Sequence, residues 1–173
     1  MMKTAMLHAI EWPGGYVPGE SDNYASNEIV VKGLTAAEVW PHLADTSEWE
    51  SYYANVRDIR FPNGSGPLLA AGKRFDFTTF SFPVKARVTG FVPPAEGQPG
   101  RMAWYGLIEG DAETRCEVHH AWLFEDLPGG RVRILTQETQ NGKPARDMAT
   151  ARPNPMINAH QDWIEGLARQ AAR

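Results

Sequence analysis

The 173-residue sequence has one cysteine, Cys116. That excludes an internal disulfide and any cysteine-based zinc site, and a lone thiol suits a reducing compartment. No uninterrupted apolar run approaches the ~20 residues that a membrane-spanning helix needs. Excess basic charge is missing too. Lys and Arg number 17 against 21 Asp and Glu, a net charge of −4, so no broad nucleic-acid surface is expected. The opening MMKTAMLHAIEW has one Lys, an apolar run broken by His8 and no small-residue cleavage site, and no signal peptide is read there. Phosphate-cradling loops also fail, because Asn63-Gly64-Ser65-Gly66 runs into Pro67 and a strand pattern rather than a helix N-terminus. The segment Phe61 to Leu69 reads instead as a mobile lip. One soluble, cytoplasmic domain remains, large enough to bury roughly 70% of the surface of its unfolded chain.

What is present is periodicity. Residues 1–26, with Trp12-Pro13-Gly14-Gly15-Tyr16 and Pro18-Gly19, read as an irregular N-terminal arm, and residues 27–173 as a single domain. Glu28-Ile29-Val30-Val31-Lys32 is a β-branched strand pattern that stops at Gly33. Thr35 stands three residues before Glu38, the spacing of a capping box, and Val39, Trp40 and Leu43 follow at helical intervals. Pro41 keeps that helix short or kinked. Ser47 and Glu50 repeat the spacing ahead of Trp49, Tyr52, Tyr53 and Val56, which predicts a second short helix. The period then changes to two. Strands are predicted near 56–61, 73–81, 84–92, 101–109, 114–126 and 131–141, with short connections that imply an antiparallel meander. Asn154 and Pro155 supply an N-cap and a first-turn proline for a final helix carrying Ile157, His160, Trp163, Ile164 and Leu167 on one face. From Met156 to Ala171 it would span roughly 24 Å.

The strand faces are unequal. Cys116, Val118, His120, Trp122 and Phe124 share one side; Arg115, Glu117, His119, Ala121, Leu123 and Glu125 share the other. Val132, Ile134, Thr136 and Glu138 group together, as do Phe75, Phe77 and Thr79, and Val84, Ala86 and Val88. This is the pattern of a sheet covered on one face, with Arg115, Arg131 and Arg133 on the solvated side. His120, Thr136, Glu138 and His160 suit a dry core poorly, since buried polar groups are costly unless paired. They imply a partly polar cavity between the sheet and the final helix.

The order β, α, α, six β, long α, together with Leu34-Thr35-Ala36-Ala37-Glu38-Val39-Trp40, Trp49, Tyr52-Tyr53 and Gly72-Lys73-Arg74-Phe75, resembles the SRPBCC (START-like) superfamily. Gly129-Gly130-Arg131-Val132, Leu135-Thr136-Gln137-Glu138-Thr139 and His160-Gln161-Asp162-Trp163-Ile164-Glu165-Gly166-Leu167 are similar to the last hairpin and closing helix of its polyketide cyclase/dehydrase-type members. The resemblance covers about residues 27–170. It implies an α+β helix-grip fold, a seven-stranded antiparallel sheet wrapped around a long C-terminal helix, with two short helices after the first strand. It also implies a cavity for a small hydrophobic or lipid-like ligand. The superfamily includes carriers, receptors and aromatase/cyclases, so activity is left open.

Candidate residues follow. His120, Glu138 and His160 could move a proton if they share the cavity, and each could equally be a hydrogen-bonded core group. The same three could form a His₂-carboxylate set, but no ligand-spacing motif supports a metal, and none is expected. His119 and His120 point to opposite faces and cannot chelate together. Trp49, Tyr52 and Tyr53, on the short second helix, are expected at the cavity mouth. Phe75, Phe77, Trp104, Trp122 and Trp163 either line the cavity or fill the core. Cys116, without an adjacent base, reads as an inert thiol. No cofactor is implied. Three functions remain open: a binding module for a small hydrophobic molecule, a cofactor-independent cyclase/dehydratase-like enzyme, and an interaction or homodimerising role for the aromatic arm.

Overall fold

The computed structural model describes residues 6–173. The first five residues of the expected arm lie outside them. Strand β1 (Asn23–Lys32) is followed by α1 (Ala36–Ala44), a 3-10 turn at Thr46–Glu48 and α2 (Trp49–Tyr52). Then come β2 (Val56–Arg60), β3 (Arg74–Thr79), β4 (Phe82–Val92), β5 (Gly100–Ile108), β6 (Cys116–Leu127) and β7 (Arg131–Asn141). Two helices close the chain, α3 (Lys143–Thr150) and α4 (Pro155–Ala171). The seven strands form one antiparallel sheet in the order β1-β7-β6-β5-β4-β3-β2. Sheet and long C-terminal helix together make the helix-grip architecture.

Local chemistry explains the helix boundaries. The Thr35 side chain accepts the Glu38 N–H while the Glu38 carboxylate accepts the Thr35 N–H, so both halves of the capping box form. Asn154 caps α4 by accepting the Met156 N–H at 3.0 Å, with Pro155 as its first residue. At the 3-10 turn the cap is Asp45 rather than Ser47, because the Asp45 carboxylate is the group that reaches the Ser47 N–H. Gly166 lets α4 approach α2 closely: a Cβ there would fall 2.2 Å from the Tyr52 carbonyl oxygen.

Four features differ from the expectations. β1 begins at Asn23, four residues earlier than Asn27, because its N-terminal half pairs with the far end of β7. The β3–β4 turn is Phe80-Ser81, not Phe82-Pro83. Both turn residues have positive φ, 47° and 65°, the two-residue geometry that matches strand twist. Helix α3 has no counterpart among the predicted elements. Its markers are Pro144 near the N-terminus and the i, i+3 pair Ala145 and Met148, with Ala145 fully buried.

The fourth difference is the outer face of the sheet, which is not simply solvated. Residues 6–22 lie across it. Ile10 packs on Ala121, Leu123 and Leu135, and Trp12 meets the His119 and Tyr24 rings edge-on. Glu125 accepts from His8, and Arg133, itself only 8% exposed, reaches Glu125, Glu28 and the His8 carbonyl. Thr139 and Asn141 donate to the Tyr16 and Gly15 carbonyls. Arg133 is therefore an anchor for the arm rather than a solvated side chain. Trp12 and Tyr16, both half-buried, are in ring contact with their own chain.

Candidate functional site

The inner face of β3 to β7 and the concave side of α4 enclose an aromatic core. Trp49, Phe75, Phe77, Trp104, Trp122 and Trp163 contact one another there through largely edge-to-face pairs. Towards one end the packing opens into a cavity of about 240 Å³. Its walls are mainly apolar: Phe77, Val84, Trp104, Ile108, Val118, Met148, Met156 and Trp163. Tyr53, which stacks on Trp163 at 4.4 Å, also lines it. Phe80 and Phe82 of the hairpin and Pro144 and Pro155 of α3 and α4 complete the lining. Phe82 is 55% exposed and marks the mouth.

The polar atoms are concentrated on β6, β7 and α4. Register pairs His120 of β6 with Glu138 of β7, and α4 brings His160 over them. Their exposures are 2%, 6% and 2%. Glu138 Oε2 lies 3.1 Å from His120 Nδ1 and 3.4 Å from His160 Nε2. Gln140 donates to Glu138 Oε1 at 2.5 Å. The Thr136 hydroxyl donates to the Ala121 carbonyl at 3.2 Å and lies 2.7 Å from His120 Nε2. Thr136 thus engages the Nε2 edge of His120, and the Nδ1 edge faces Glu138 Oε2. Burial, then His160, holds the His120 pKa well below its ordinary value, so this imidazole is neutral. Burial likewise pushes the Cys116 thiol up to about 12, so the one cysteine at the cavity wall is an inert thiol.

One atom from each of His120, Glu138 and His160 lies within 4.8 Å of the others, close enough to be tested as a metal set. Ring orientation argues against it. The two imidazoles stack at 4.5 Å with planes only 16° apart. Their in-plane lone pairs therefore run in nearly parallel planes, and an ion aligned with one ring lies out of the plane of the other. As folded, the cluster suits a proton or a hydroxyl group.

Of the sequence candidates, Tyr53, Phe77, Trp104, His120, Glu138, His160 and Trp163 line the cavity. Trp49, Tyr52, Phe75 and Trp122 do not. Trp49 is fully buried and donates to the Leu43 carbonyl, and Phe75 and Trp122 are buried in the same packed core. Tyr52 donates to the His42 carbonyl at 2.7 Å, away from the cavity. The expected mouth at α2 is thus displaced to the β3–β4 hairpin and α3, because the α2 aromatics turn inward against α4 and the sheet. Phe61 to Leu69 contributes nothing to the cavity lining. Cavity residues that were missed include Gln140, Met148 and Met156. Gln140 follows Glu138 on the same strand face, a signal open to the period-two pattern, whereas Met148 depended on recognising α3.

No family model matches the chain, and no curated protein does. Solved structures do. Norcoclaurine synthase from Thalictrum flavum, a point mutant in complex with a transition-state analogue, is similar with a TM-score of 0.58 at 12% identity, over 87% of this chain and 94% of that one. Protein MLL2253 from Mesorhizobium loti gives 0.59 at 13% identity, over 85% and 95%. At these identities the likeness is one of fold, and the fold is helix-grip-like. The crystal structure of the hypothetical protein jhp0584 from Helicobacter pylori is similar throughout, with a TM-score of 0.91 and 44% identity over 96% of this chain and 98% of that one. The chain belongs to the same family as jhp0584.

Proposed function

We propose that the protein binds a small hydrophobic or amphipathic molecule in the cavity between the sheet and α4. The observation that carries this reading is the contrast inside one enclosure: apolar walls with a single polar cluster, His120, Glu138 and His160, at one side. Ligand sites commonly have this character, a hydrophobic pocket with a few placed polar groups that fix orientation. The resemblance to the SRPBCC superfamily supports it as well. Native mass spectrometry of freshly purified protein tests it directly. A co-purified small molecule, lost when Val118→Trp fills the cavity, is the expected result. A chain that takes up no apolar molecule, from cells or from added probes, would overturn it.

A second reading is favoured by the convergence of the same three side chains. In a cofactor-independent enzyme of the cyclase/dehydratase kind, neutral His120 and Glu138 would take and return a proton while the aromatic walls hold the substrate in one conformation. Polyketide-like substrates are the class that the sequence resemblance suggests. The two readings separate on the fate of the bound molecule. A carrier releases it unchanged, whereas an enzyme converts it, and Glu138→Gln would abolish conversion while retaining binding.

A further inference from the structure

We infer that the cavity selects an uncharged molecule bearing a hydroxyl group, such as a phenol or an alcohol, and rejects carboxylates. This inference rests on the binding reading above and concerns the chemistry of its ligand.

Charge comes first. No Lys or Arg is among the residues that line the cavity. The one ionisable acid there is Glu138, and the nearest imidazole, His120, is held neutral by burial. An anionic ligand would therefore bring a second acid into a low-dielectric space with no counter-charge, which is strongly unfavourable. The usual carboxylate headgroup of a fatty acid meets no Lys or Arg in the lining.

Hydrogen bonding gives the positive half. Glu138 Oε1 is occupied by Gln140, and His120 Nε2 by Thr136. Glu138 Oε2, the carboxylate oxygen left for a ligand, lies 3.1 Å from His120 Nδ1 and 3.4 Å from His160 Nε2. A carboxylate oxygen has more than one lone pair, so Oε2 can still accept from a ligand donor. On the same ring, His160 Nδ1 is buried without a partner. That leaves Nε2, beside Glu138, as the nitrogen through which His160 meets a ligand. A hydroxyl both donates and accepts, so it can donate to Glu138 Oε2 while accepting from an imidazole N–H of the same cluster. A hydrocarbon would leave that capacity unused, and a carboxylate would set its oxygens against Glu138 with no proton to offer it.

The test compares three probes of one shape on the full-length protein at pH 7.5 by isothermal titration calorimetry: 2-naphthol, naphthalene and 2-naphthoate. 2-Naphthol should bind about tenfold more tightly than naphthalene, the scale of one buried hydrogen bond, and 2-naphthoate should bind more weakly than either. In Glu138→Gln the preference for naphthol over naphthalene should fall several-fold while naphthalene affinity is retained. Should that variant fail to fold, His160→Phe offers the same comparison, and the wild-type ranking is decisive alone. Naphthalene binding as tightly as naphthol, or naphthoate binding best, overturns the inference and leaves the cavity reading intact. If none of the three binds, the cavity reading itself fails, and the inference with it.

Discussion

His120 and His160 stack face to face, centroids 4.5 Å apart, one imidazole from the middle of a central strand and the other from the helix that crosses it. Glu138 sits against the edges of both rings. Burial first, and then the neighbouring His160 ring, depress the His120 pKa. The stack therefore keeps the polar side of the cavity neutral at His120 and leaves Glu138 as its principal acceptor.

Replacing Glu138 by Ala should lower stability by about 1–3 kcal/mol, because the Gln140 amide and the imidazoles lose a buried polar partner. Glu138→Gln should cost less, since it keeps the shape and an acceptor oxygen. Urea unfolding of both variants provides the measurement. An alanine variant as stable as the parent would mean that water already satisfies these groups.

Acid should destabilise the protein before its carboxylates are protonated. Burial pushes His119 down to about 4, against an ordinary value near 6.5 in the unfolded chain. Between those values the unfolded state takes up a proton that the folded state refuses. The contribution of His119 is thus complete above pH ~6.5 and is lost as pH falls towards 4, by up to about 1.4 kcal/mol per pH unit. His119→Phe keeps an aromatic ring against Trp12 and should reduce the stability lost between pH 7 and pH 5 by about 2 kcal/mol. Equal losses in variant and parent would contradict this assignment.

The Phe80-Ser81 turn places two L-residues in the left-handed region, φ 47° and 65°, where a Cβ is disfavoured. Ser81→Gly should relieve one of them and raise stability by about 0.5–1 kcal/mol, seen as a higher melting temperature. Phe80 lines the cavity and is left in place. A lower melting temperature would show that the serine side chain stabilises the turn.

Ile10 ties the arm to the outer face of the sheet through Ala121, Leu123 and Leu135. Ile10→Ala should cost about 1–3 kcal/mol, less than a deep core position because the site lies at the margin of a small cluster. Protease cutting within residues 6–22 should accelerate in parallel. An unchanged unfolding midpoint would mean that the polar anchors at Arg133, Thr139 and Asn141 hold the arm without it.

The elements were legible because their signals are local. The capping box at Thr35 and Glu38, the Asn154-Pro155 helix start and the alternation along Cys116 to Phe124 each depend on neighbours within a few residues. The same alternation placed His120 and Glu138 on the inner face. What it could not convey is depth along the cavity. Tyr53 and Trp49 belong to the same short segment, yet one lines the cavity and the other fills the core, because their surroundings come from α4 and β3. The outer face shows the same limit. His119, Leu123, Glu125 and Arg133 share an exposed-looking pattern with Glu117 and Arg131, and only the path of the arm separates them.

By itself, the sequence determined the strand and helix periods, the absence of disulfide chemistry, and which side chains could face inward, since each follows from backbone geometry and residue type over short spans. The tertiary structure decided that His160 meets His120 and Glu138, that the mouth lies at the β3–β4 hairpin and α3, and that residues 6–22 cover the outer sheet. Those outcomes depend on contacts between residues far apart in the chain, and no local pattern encodes which distant surface a side chain will meet.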